Sequence, residues 1–235
     1  MNKLDIKGIE LLAFDADDTL WDTQSYFDSA VARYCKMLSP YGSFEHIYNI
    51  FYQKEIANLP SLGYGGKAFL ISLIENAIEV SGGKVSNADI EQFIAIGREV
   101  LEIPAIPLEG VERTLSLLKE SGKYRMVLFT KGDSLEQESK CERSGLMPYF
   151  NDIEIVSTKT VKEYRNLCRH NGVESCNMLM IGNSFKSDIA PVLDIGGKGI
   201  LIPYGRLWEH EVCEKYEHHN YITLNKFEEL LQVLL

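Results

Sequence analysis

The second half of the chain alternates between two kinds of segment, short apolar runs and stretches with helical periodicity. The apolar runs are rich in β-branched and large apolar residues, which is typical of buried strands. Strands that alternate with helices pair in parallel, and the helices then cover both faces of the sheet. The sequence therefore predicts an α/β fold with strands over residues 125–130, 153–157, 178–182 and 199–203, and helices over residues 111–120, 135–144 and 161–170.

A further strand is predicted near the start, over residues 9–14, but the segment that follows it breaks the alternation. Helical periodicity covers residues 26–38, 44–59, 66–80 and 88–100 in succession. Ser43, Asn87 and Asp133 are predicted helix N-caps, because their short polar side chains accept hydrogen bonds from the first turn. Pro104 and Pro107 then mark a boundary. We expect a core formed by residues 1–20 and 105–235, interrupted by an all-helical insertion of residues 21–104.

Composition narrows the function classes before any motif is considered. The 235 residues carry a formal net charge of −10 at pH 7, which disfavours nucleic-acid binding because phosphate contacts require an excess of Lys and Arg. The five cysteines are odd in number and include no C-x-x-C pair, as in proteins from reducing compartments. The first residues lack the apolar segment of a signal peptide, and no apolar run reaches the ~18 residues of a membrane span. We expect a cytoplasmic protein with no membrane or nucleic-acid partner.

Three carboxylates follow the first predicted strand within four positions, in the run Asp15-Ala16-Asp17-Asp18-Thr19. Ligands of open α/β sheets bind at the carboxyl ends of the strands. Carboxylates clustered at such an edge need a cation or hydrogen-bond donors to offset their charge. Further polar side chains come at or after the ends of later predicted strands: Thr130, Lys159 and Asp188. We expect these residues, which are far apart in the sequence, to meet at one metal-binding edge of the sheet.

This order of motifs resembles that of the haloacid dehalogenase superfamily, and in particular its phosphatase branch. The resemblance covers nearly the full chain and implies a Rossmann-like core with a helical cap inserted after the first motif. It implies that Asp15 is the nucleophile, which forms an aspartyl-phosphate, and that Asp17 is the general acid and base. It also implies Mg²⁺, bound by Asp15, the backbone carbonyl of Asp17 and Asp188. The second carboxylate favours phosphoryl transfer over carbon–halogen cleavage, because the dehalogenating members of the family lack it.

The resemblance also assigns groups that bind the substrate. Thr130 and the backbone of Lys131 would hydrogen-bond the phosphoryl oxygens, and Lys159 would place a cation beside them. The glycine-rich loop before the third inserted helix is expected to overhang the site and close it against water. Tyr64 and Lys67 in this loop are therefore candidates for contacting the leaving group. The alternative is a plain interhelical turn with Lys67 in solvent.

Three positions depart from the family pattern. Asp18 stands where glycine is usual, and its side chain tolerates unusual backbone geometry better than most. Asn183 stands where Asp is frequent; it can still bind a metal-bound water and is counted with the phosphate-binding residues. Thr160 stands where proline usually follows the lysine. Lys162 is therefore an alternative to Lys159, which we prefer because it lies nearer the end of the strand.

The sequence therefore predicts a Mg²⁺-dependent phosphomonoester hydrolase that acts on a small phosphorylated metabolite through a covalent aspartyl-phosphate. A phosphosugar mutase of the same superfamily is one alternative, in which the phosphoryl group passes to a sugar instead of water. A non-enzymatic phospho-receiver or Mg²⁺-binding module is another, although receivers are shorter and have no inserted cap. Neither the substrate nor the oligomeric state follows from the sequence.

Overall fold

The computed structural model describes residues 4–235, and its centre is a six-stranded sheet. The strands lie in the order β3-β2-β1-β4-β5-β6, and all neighbouring pairs are parallel. The strand order reverses at β1, which lies between β2 and β4, and ligand sites of open α/β sheets lie at such a switch point. The predicted α/β fold with a parallel sheet is confirmed, while the first three residues of the predicted core lie outside the described residues. The strands are β1 (Leu11–Phe14), β2 (Arg125–Lys131), β3 (Asp152–Val156), β4 (Met178–Gly182), β5 (Lys198–Leu201) and β6 (Tyr221–Thr223).

Four helices separate β1 from the rest of the sheet: α1 (Gln24–Met37), α2 (Phe44–Leu62), α3 (Gly66–Ser81) and α4 (Asn87–Leu101). They pack around an apolar cluster of their own, distinct from the layers on the sheet, with Tyr34, Phe51 and Phe93 buried at its centre. The Tyr34 hydroxyl donates a hydrogen bond to the backbone carbonyl of Leu73 at 2.7 Å, so its polar atom is satisfied. These four helices are called the helical insertion below.

Helices cover both faces of the sheet. Successive residues of a strand point to opposite faces, and apolar side chains on both faces need a helical layer to bury them. Leu12 and Phe14 of β1 pack in one apolar layer, and Leu11 and Ala13 pack in the opposite one. The first layer includes α5 (Val111–Ser121), α6 (Ser134–Ser144) and α9 (Leu230–Leu234), and the second includes α7 (Val161–Asn171) and α8 (Ala190–Leu193). A π-helical turn, Phe185–Ile189, follows β4. None of the helices in residues 4–235 has the length and apolar character that a membrane crossing requires.

The N-terminal ends of three helices can be compared with the N-caps predicted from the sequence. Ser43 and Asp133 each accept a hydrogen bond from the backbone N–H three residues further on, as predicted for N-caps. The prediction for α4 is wrong by one residue. Ser86 is the N-cap there and forms a reciprocal capping box with Asp89, so Asn87 is the first residue of the helix. The sequence-based prediction also lacks β6, because that edge strand has three residues and is only partly buried.

Candidate active site

The carboxyl ends of β1, β3 and β4 bring three charged side chains into one buried cluster. Asp15 directly follows β1, Lys159 lies three residues after β3, and Asp188 lies in the π-helical turn after β4. The Lys159 ammonium is 2.5 Å from an Asp15 carboxylate oxygen and 2.8 Å from an Asp188 carboxylate oxygen. All three residues are buried. The predicted meeting of Asp15 and Asp188 is therefore observed, with Lys159 between them.

Each carboxylate of this cluster has a further donor. The Thr19 hydroxyl donates to the second Asp15 oxygen at 2.9 Å, and the Ser184 backbone N–H donates to the second Asp188 oxygen at 2.9 Å. Glycine is required at Gly182, the last residue of β4, because a Cβ there would collide with the Asp188 carboxylate. These contacts fix both side chains toward the lysine.

Burial and charge act in opposite directions on the cluster. Burial raises the pKa of Asp15 to about 6, and the Asp188 charge adds to the shift, while Lys159 opposes it. Burial alone would lower the pKa of Lys159, but Asp15 and Asp188 raise it, so the lysine is charged at neutral pH. The cluster therefore holds one buried cation against two acidic groups, and additional positive charge nearby would favour the ionised form of Asp15.

Asp17 lies beside this cluster but has a separate set of partners. The Lys140 ammonium is 2.8 Å from both of its carboxylate oxygens. Gln137, Thr23 and Trp21 donate three further hydrogen bonds at 2.7–2.9 Å. Burial would raise the pKa of Asp17, but Lys140 and the neutral donors outweigh it and lower the pKa to about 2. The Asp17 side chain is thus ionised and oriented by α6, the start of α1 and the indole of Trp21.

The lysine that holds Asp17 also connects it to the helical insertion. Lys140 is almost fully buried on α6 and lies 3.5 Å from Glu136, one helical turn earlier. The second Glu136 oxygen accepts a hydrogen bond from the backbone N–H of Gly66 at 2.7 Å, at the start of α3. A Cβ on Gly65 would lie 2.7 Å from the same carboxylate, so this close approach requires glycine. A continuous set of contacts therefore runs from Asp17 to the loop before α3.

Asp18 adopts the left-handed conformation, with φ of 58°, at the position where the family pattern has glycine. Its carboxylate accepts hydrogen bonds from the backbone N–H groups of Thr23 and Gln24 at 2.8 and 3.0 Å. Burial raises the pKa of Asp18 to about 7, against the effect of these two donors. Asp18 therefore organises the turn into α1 in place of glycine.

A second ion pair stands next to the cluster. Lys131 at the end of β2 pairs with Glu211 and lies 2.9 Å from the Ser187 hydroxyl. Its ammonium is also 4.5 Å from the centre of the Tyr64 ring, within cation–π range. Glu211 accepts further hydrogen bonds from Ser184 and Ser187, and these partners lower its pKa to about 2 although burial opposes them. The loop after β5 is thereby fastened to the end of β2.

These residues surround one cavity of about 1240 Å³, counted with its solvent-filled mouth. Asp15, Asp17, Asp188, Thr130, Lys131, Lys159, Asn183 and Tyr64 all line it, among the residues predicted for the site. Lys67 is not among the described residues that line the cavity. It pairs with the N-cap Asp133 at 2.9 Å, and its side chain is 52% exposed, so the structure does not bring Lys67 together with the other predicted site residues. Lys162 is also directed to solvent, with 82% of its side chain exposed, which favours Lys159 as the lysine of the site.

Comparison with known proteins decides the family. Residues 9–196, most of the chain, match the family of haloacid dehalogenase-like hydrolases. The chain belongs to this family. A solved haloacid dehalogenase-like family hydrolase from Xanthomonas campestris is 38% identical, with a TM-score of 0.78, over 84% of this chain and 82% of its own. Two curated relatives, from Methanocaldococcus jannaschii and Pyrococcus furiosus, are 25% and 24% identical over 97% of this chain and over 97% and 94% of their own length. Both relatives are named glyceraldehyde 3-phosphate phosphatase.

Several cavity residues of this haloacid dehalogenase-like hydrolase were not found by sequence reasoning. They are Glu55, Glu136, Gln137, Lys140, Trp208 and Glu211. The sequence of α6 did carry a signal for three of them. A helix packed on the sheet must bury one face, and α6 has so few apolar residues that its buried face has to include polar side chains. The polar residues of that face, Glu136, Gln137 and Lys140, are the ones that hold Asp17 and the loop before α3. Glu211 carries no comparable signal, because its partner Lys131 is 80 residues away.

Proposed function

We propose that this haloacid dehalogenase-like hydrolase is a Mg²⁺-dependent phosphomonoester hydrolase that acts on a small phosphorylated metabolite through an aspartyl-phosphate on Asp15. The observation that supports it most is the buried contact of Asp15 and Asp188 with the single ammonium of Lys159. A nucleophilic carboxylate with a fixed cation beside it suits attack on a negatively charged phosphoryl group. The names of the two curated relatives support the same reaction class.

The acidic residues of the site fit Mg²⁺. Asp15 and Asp188 each direct a carboxylate oxygen to the Lys159 ammonium, at 2.5 and 2.8 Å, so the site already holds a cation beside two hard oxygen groups of the kind that Mg²⁺ prefers. No group of three or more His, Cys, Asp or Glu side chains within residues 4–235 has the arrangement of a metal site. Mg²⁺ usually takes one or two protein carboxylates and completes its shell with water and phosphate, so Asp15, Asp188 and the backbone carbonyl of Asp17 would suffice. Bound there, the ion would neutralise charge on the phosphoryl oxygens.

The side chains supply the chemistry in two steps. In the first, an Asp15 carboxylate oxygen forms a bond to phosphorus as the bond to the leaving alcohol breaks, and Asp17 donates a proton to that alcohol. In the second, Asp17 takes a proton from water, the water oxygen bonds to phosphorus, and the Asp15–phosphorus bond breaks. Thr19 holds the other Asp15 oxygen by a hydrogen bond, which orients the nucleophile. Thr130, the backbone of Lys131 and Lys159 bind the phosphoryl oxygens, and Asn183 contributes through water.

The protonation of Asp17 sets a condition on the first step. With its present partners Asp17 is ionised at neutral pH, which is the form that the second step needs. To act as an acid it must first gain a proton. A phosphoryl group bound beside Asp17 adds negative charge and excludes water, and both effects raise the pKa of a carboxyl group. Transfer of that proton to the leaving alcohol leaves Asp17 as a carboxylate, and Lys140 stabilises this basic form for the second step.

The helical insertion, residues 21–104 of the predicted organisation, acts in this proposal as a cap over the core of residues 1–20 and 105–235. Contacts that hold the two parts together around the cavity include Gly66 with Glu136, Lys67 with Asp133, and the Tyr48 hydroxyl with Glu209 at 3.0 Å. A closed cap excludes water from the aspartyl-phosphate until the alcohol has left. Tyr64, whose ring lies against Lys131, would contact the substrate from the cap side.

A cytoplasmic location is part of the proposal. All five cysteines lie within residues 4–235 and are free thiols, three of them buried, which is the usual state in a reducing compartment. The acidic net charge of −10 supports a small-molecule substrate in preference to a nucleic acid.

The proposal is tested by measuring inorganic phosphate released from a panel of phosphomonoesters, with Mg²⁺ and with a chelator. We expect release that requires Mg²⁺ and is lost in Asp15→Asn. Asp152→Asn, an exposed residue at the start of β3, is the matched control and should keep full activity. Undiminished turnover by Asp15→Asn would contradict the covalent mechanism. An isomerised sugar phosphate as product would indicate a mutase, and stable phosphate on Asp15 without release would indicate a receiver.

A further inference from the structure

The helical insertion and the loop after β5 contribute a second part of the cavity wall, in which most of the lining residues are apolar. Phe27 contributes a partly exposed ring to this part, and the buried rings of Phe69 and Phe51 support it from inside the helical insertion, with ring centres 5.0 Å apart for Phe27 and Phe69 and 5.5 Å apart for Phe51 and Phe69. Val31 and Leu59 of the helical insertion, and Leu207 and Trp208 from the loop after β5, also line the cavity. A wall of this composition favours a ligand with a large apolar group. Binding then removes apolar surface of both the wall and the ligand from water, which stabilises the complex.

The core and the helical insertion contribute different charged side chains to the cavity. Among the described residues lining it, the cationic side chains are Lys131, Lys140 and Lys159. All three belong to the core, and each is already paired with a carboxylate. The lining residues of the helical insertion instead include the acids Asp28 and Glu55. A leaving group with a second phosphate or a carboxylate would find no free cation in this part and would be repelled by the acidic side chain of Asp28.

Glu55 is the polar group best placed to orient a ligand among these apolar walls. It lies on α2, half-buried, and the Trp208 side chain faces it from the core. Burial raises the pKa of Glu55 to about 8, and Trp208 only partly opposes this, so the group is mainly a neutral carboxylic acid at pH 7. A neutral carboxyl group both donates and accepts hydrogen bonds. It can therefore bind an uncharged polar atom of a ligand, such as a carbonyl oxygen.

We infer that the leaving alcohol of the natural substrate is an uncharged, largely apolar ring system, bulkier than a triose, that is oriented by a hydrogen bond to Glu55. This inference rests on the proposed phosphatase function and narrows its substrate class. The inferred substrate differs from the triose phosphate that appears in the names of the curated relatives. A three-carbon polyol derivative would leave the exposed apolar surfaces of Phe27, Leu59, Leu207 and Trp208 in contact with water and would pair poorly with the few polar groups beside them.

Binding to Asp15→Asn tests this inference separately from hydrolysis. Calorimetry would compare 2-phenylethyl phosphate with glyceraldehyde 3-phosphate and 3-phosphoglycerate, all in the presence of Mg²⁺. We expect the phenylethyl ester to bind at least about tenfold more tightly than either three-carbon compound, which corresponds to about 1.4 kcal/mol. Equal or weaker binding of the phenylethyl ester would overturn the inference. Failure of wild-type protein to release phosphate from any ester would contradict the proposed function and leave this binding comparison intact.

The role of Glu55 needs a ligand with an acceptor and a set of matched variants. 2-(4-Acetylphenyl)ethyl phosphate adds a carbonyl oxygen to the phenylethyl ester, and we expect it to bind about tenfold more tightly. Glu55→Gln, which keeps a neutral hydrogen-bond donor, should preserve that preference, and Glu55→Leu should abolish it without weakening the phenylethyl ester. Glu91→Leu, at an exposed position on α4, is the control and should behave as wild type. An unchanged preference in Glu55→Leu would show that another group orients the ring.

Discussion

Glu211 offers the clearest link between the structure and a measurable free energy. It is buried, with 7% of its surface exposed, and it accepts hydrogen bonds from Ser184 and Ser187 while pairing with Lys131. These partners lower its pKa from the ordinary 4.5 to about 2. Because one pKa unit corresponds to about 1.4 kcal/mol, ionised Glu211 stabilises the folded protein by roughly 3 kcal/mol near neutral pH.

The sign of the pH dependence follows from the direction of the shift. A carboxyl group with a lower pKa in the folded state stabilises it fully above the unfolded-state value. That contribution decreases as the pH falls through 4.5 toward 2. Glu211→Gln should therefore lower the free energy of unfolding by roughly 3 kcal/mol at about pH 7, and by roughly half as much at about pH 3.

Urea unfolding followed by tryptophan fluorescence, at several pH values in this range, would measure the difference between the two proteins. Glu214→Gln, an exposed neighbour in the same loop, is the matched control and should change stability by no more than about 0.5 kcal/mol at any pH. An equal free energy of unfolding in wild type and Glu211→Gln, or a difference that does not change with pH, would contradict the lowered pKa of Glu211.

Three further predictions concern stability. Lys140→Met leaves the buried Glu136 and the partly buried Asp17 without their cation and should lower the free energy of unfolding by about 3–5 kcal/mol in urea titrations. The exposed control Lys36→Met should change it by less than about 0.5 kcal/mol. Ser86→Ala removes the capping box of α4 and should cost about 1 kcal/mol by the same measurement, and a larger loss in Asn87→Ala would contradict the assignment of the cap. Millimolar Mg²⁺ should raise the melting temperature of wild type in differential scanning fluorimetry, and Asp188→Asn should reduce that increase; an unchanged melting curve would count against a shared carboxylate site.

The elements that the sequence predicted well are those with strong local signals. β4 is fully buried, so its apolar run of five residues is unambiguous. The proximity of Asp15 and Asp188 was also predictable, because parallel strands place their carboxyl ends at one edge of the sheet. Ser86 competes with Asn87 for the same cap, and single-residue boundaries depend on the backbone geometry that the chain finally adopts.

The pairs that join distant segments could not be predicted. Lys140 meets Asp17 across 123 residues, and no local pattern in α6 specifies which carboxylate it will contact. Lys67 is the second residue of α3, and its ammonium pairs with Asp133 at the N-terminus of α6 instead of lining the cavity. Glu55 is an ordinary helical glutamate in the sequence, and its raised pKa arises only when the loop carrying Trp208 and the aromatic rings enclose it. These properties depend on tertiary packing, because burial and neighbouring charge determine them.

In the proposed mechanism, Asp15 carries the phosphoryl group during turnover. Mass spectrometry of protein quenched rapidly in acid while it hydrolyses a phosphomonoester with Mg²⁺ tests this directly. We expect a peptide containing Asp15 that is heavier by one phosphoryl group, with the modification on Asp15 itself and absent from Asp15→Asn. Phosphate release at the wild-type rate by Asp15→Asn, or a phosphoryl group trapped on another residue during turnover, would contradict it.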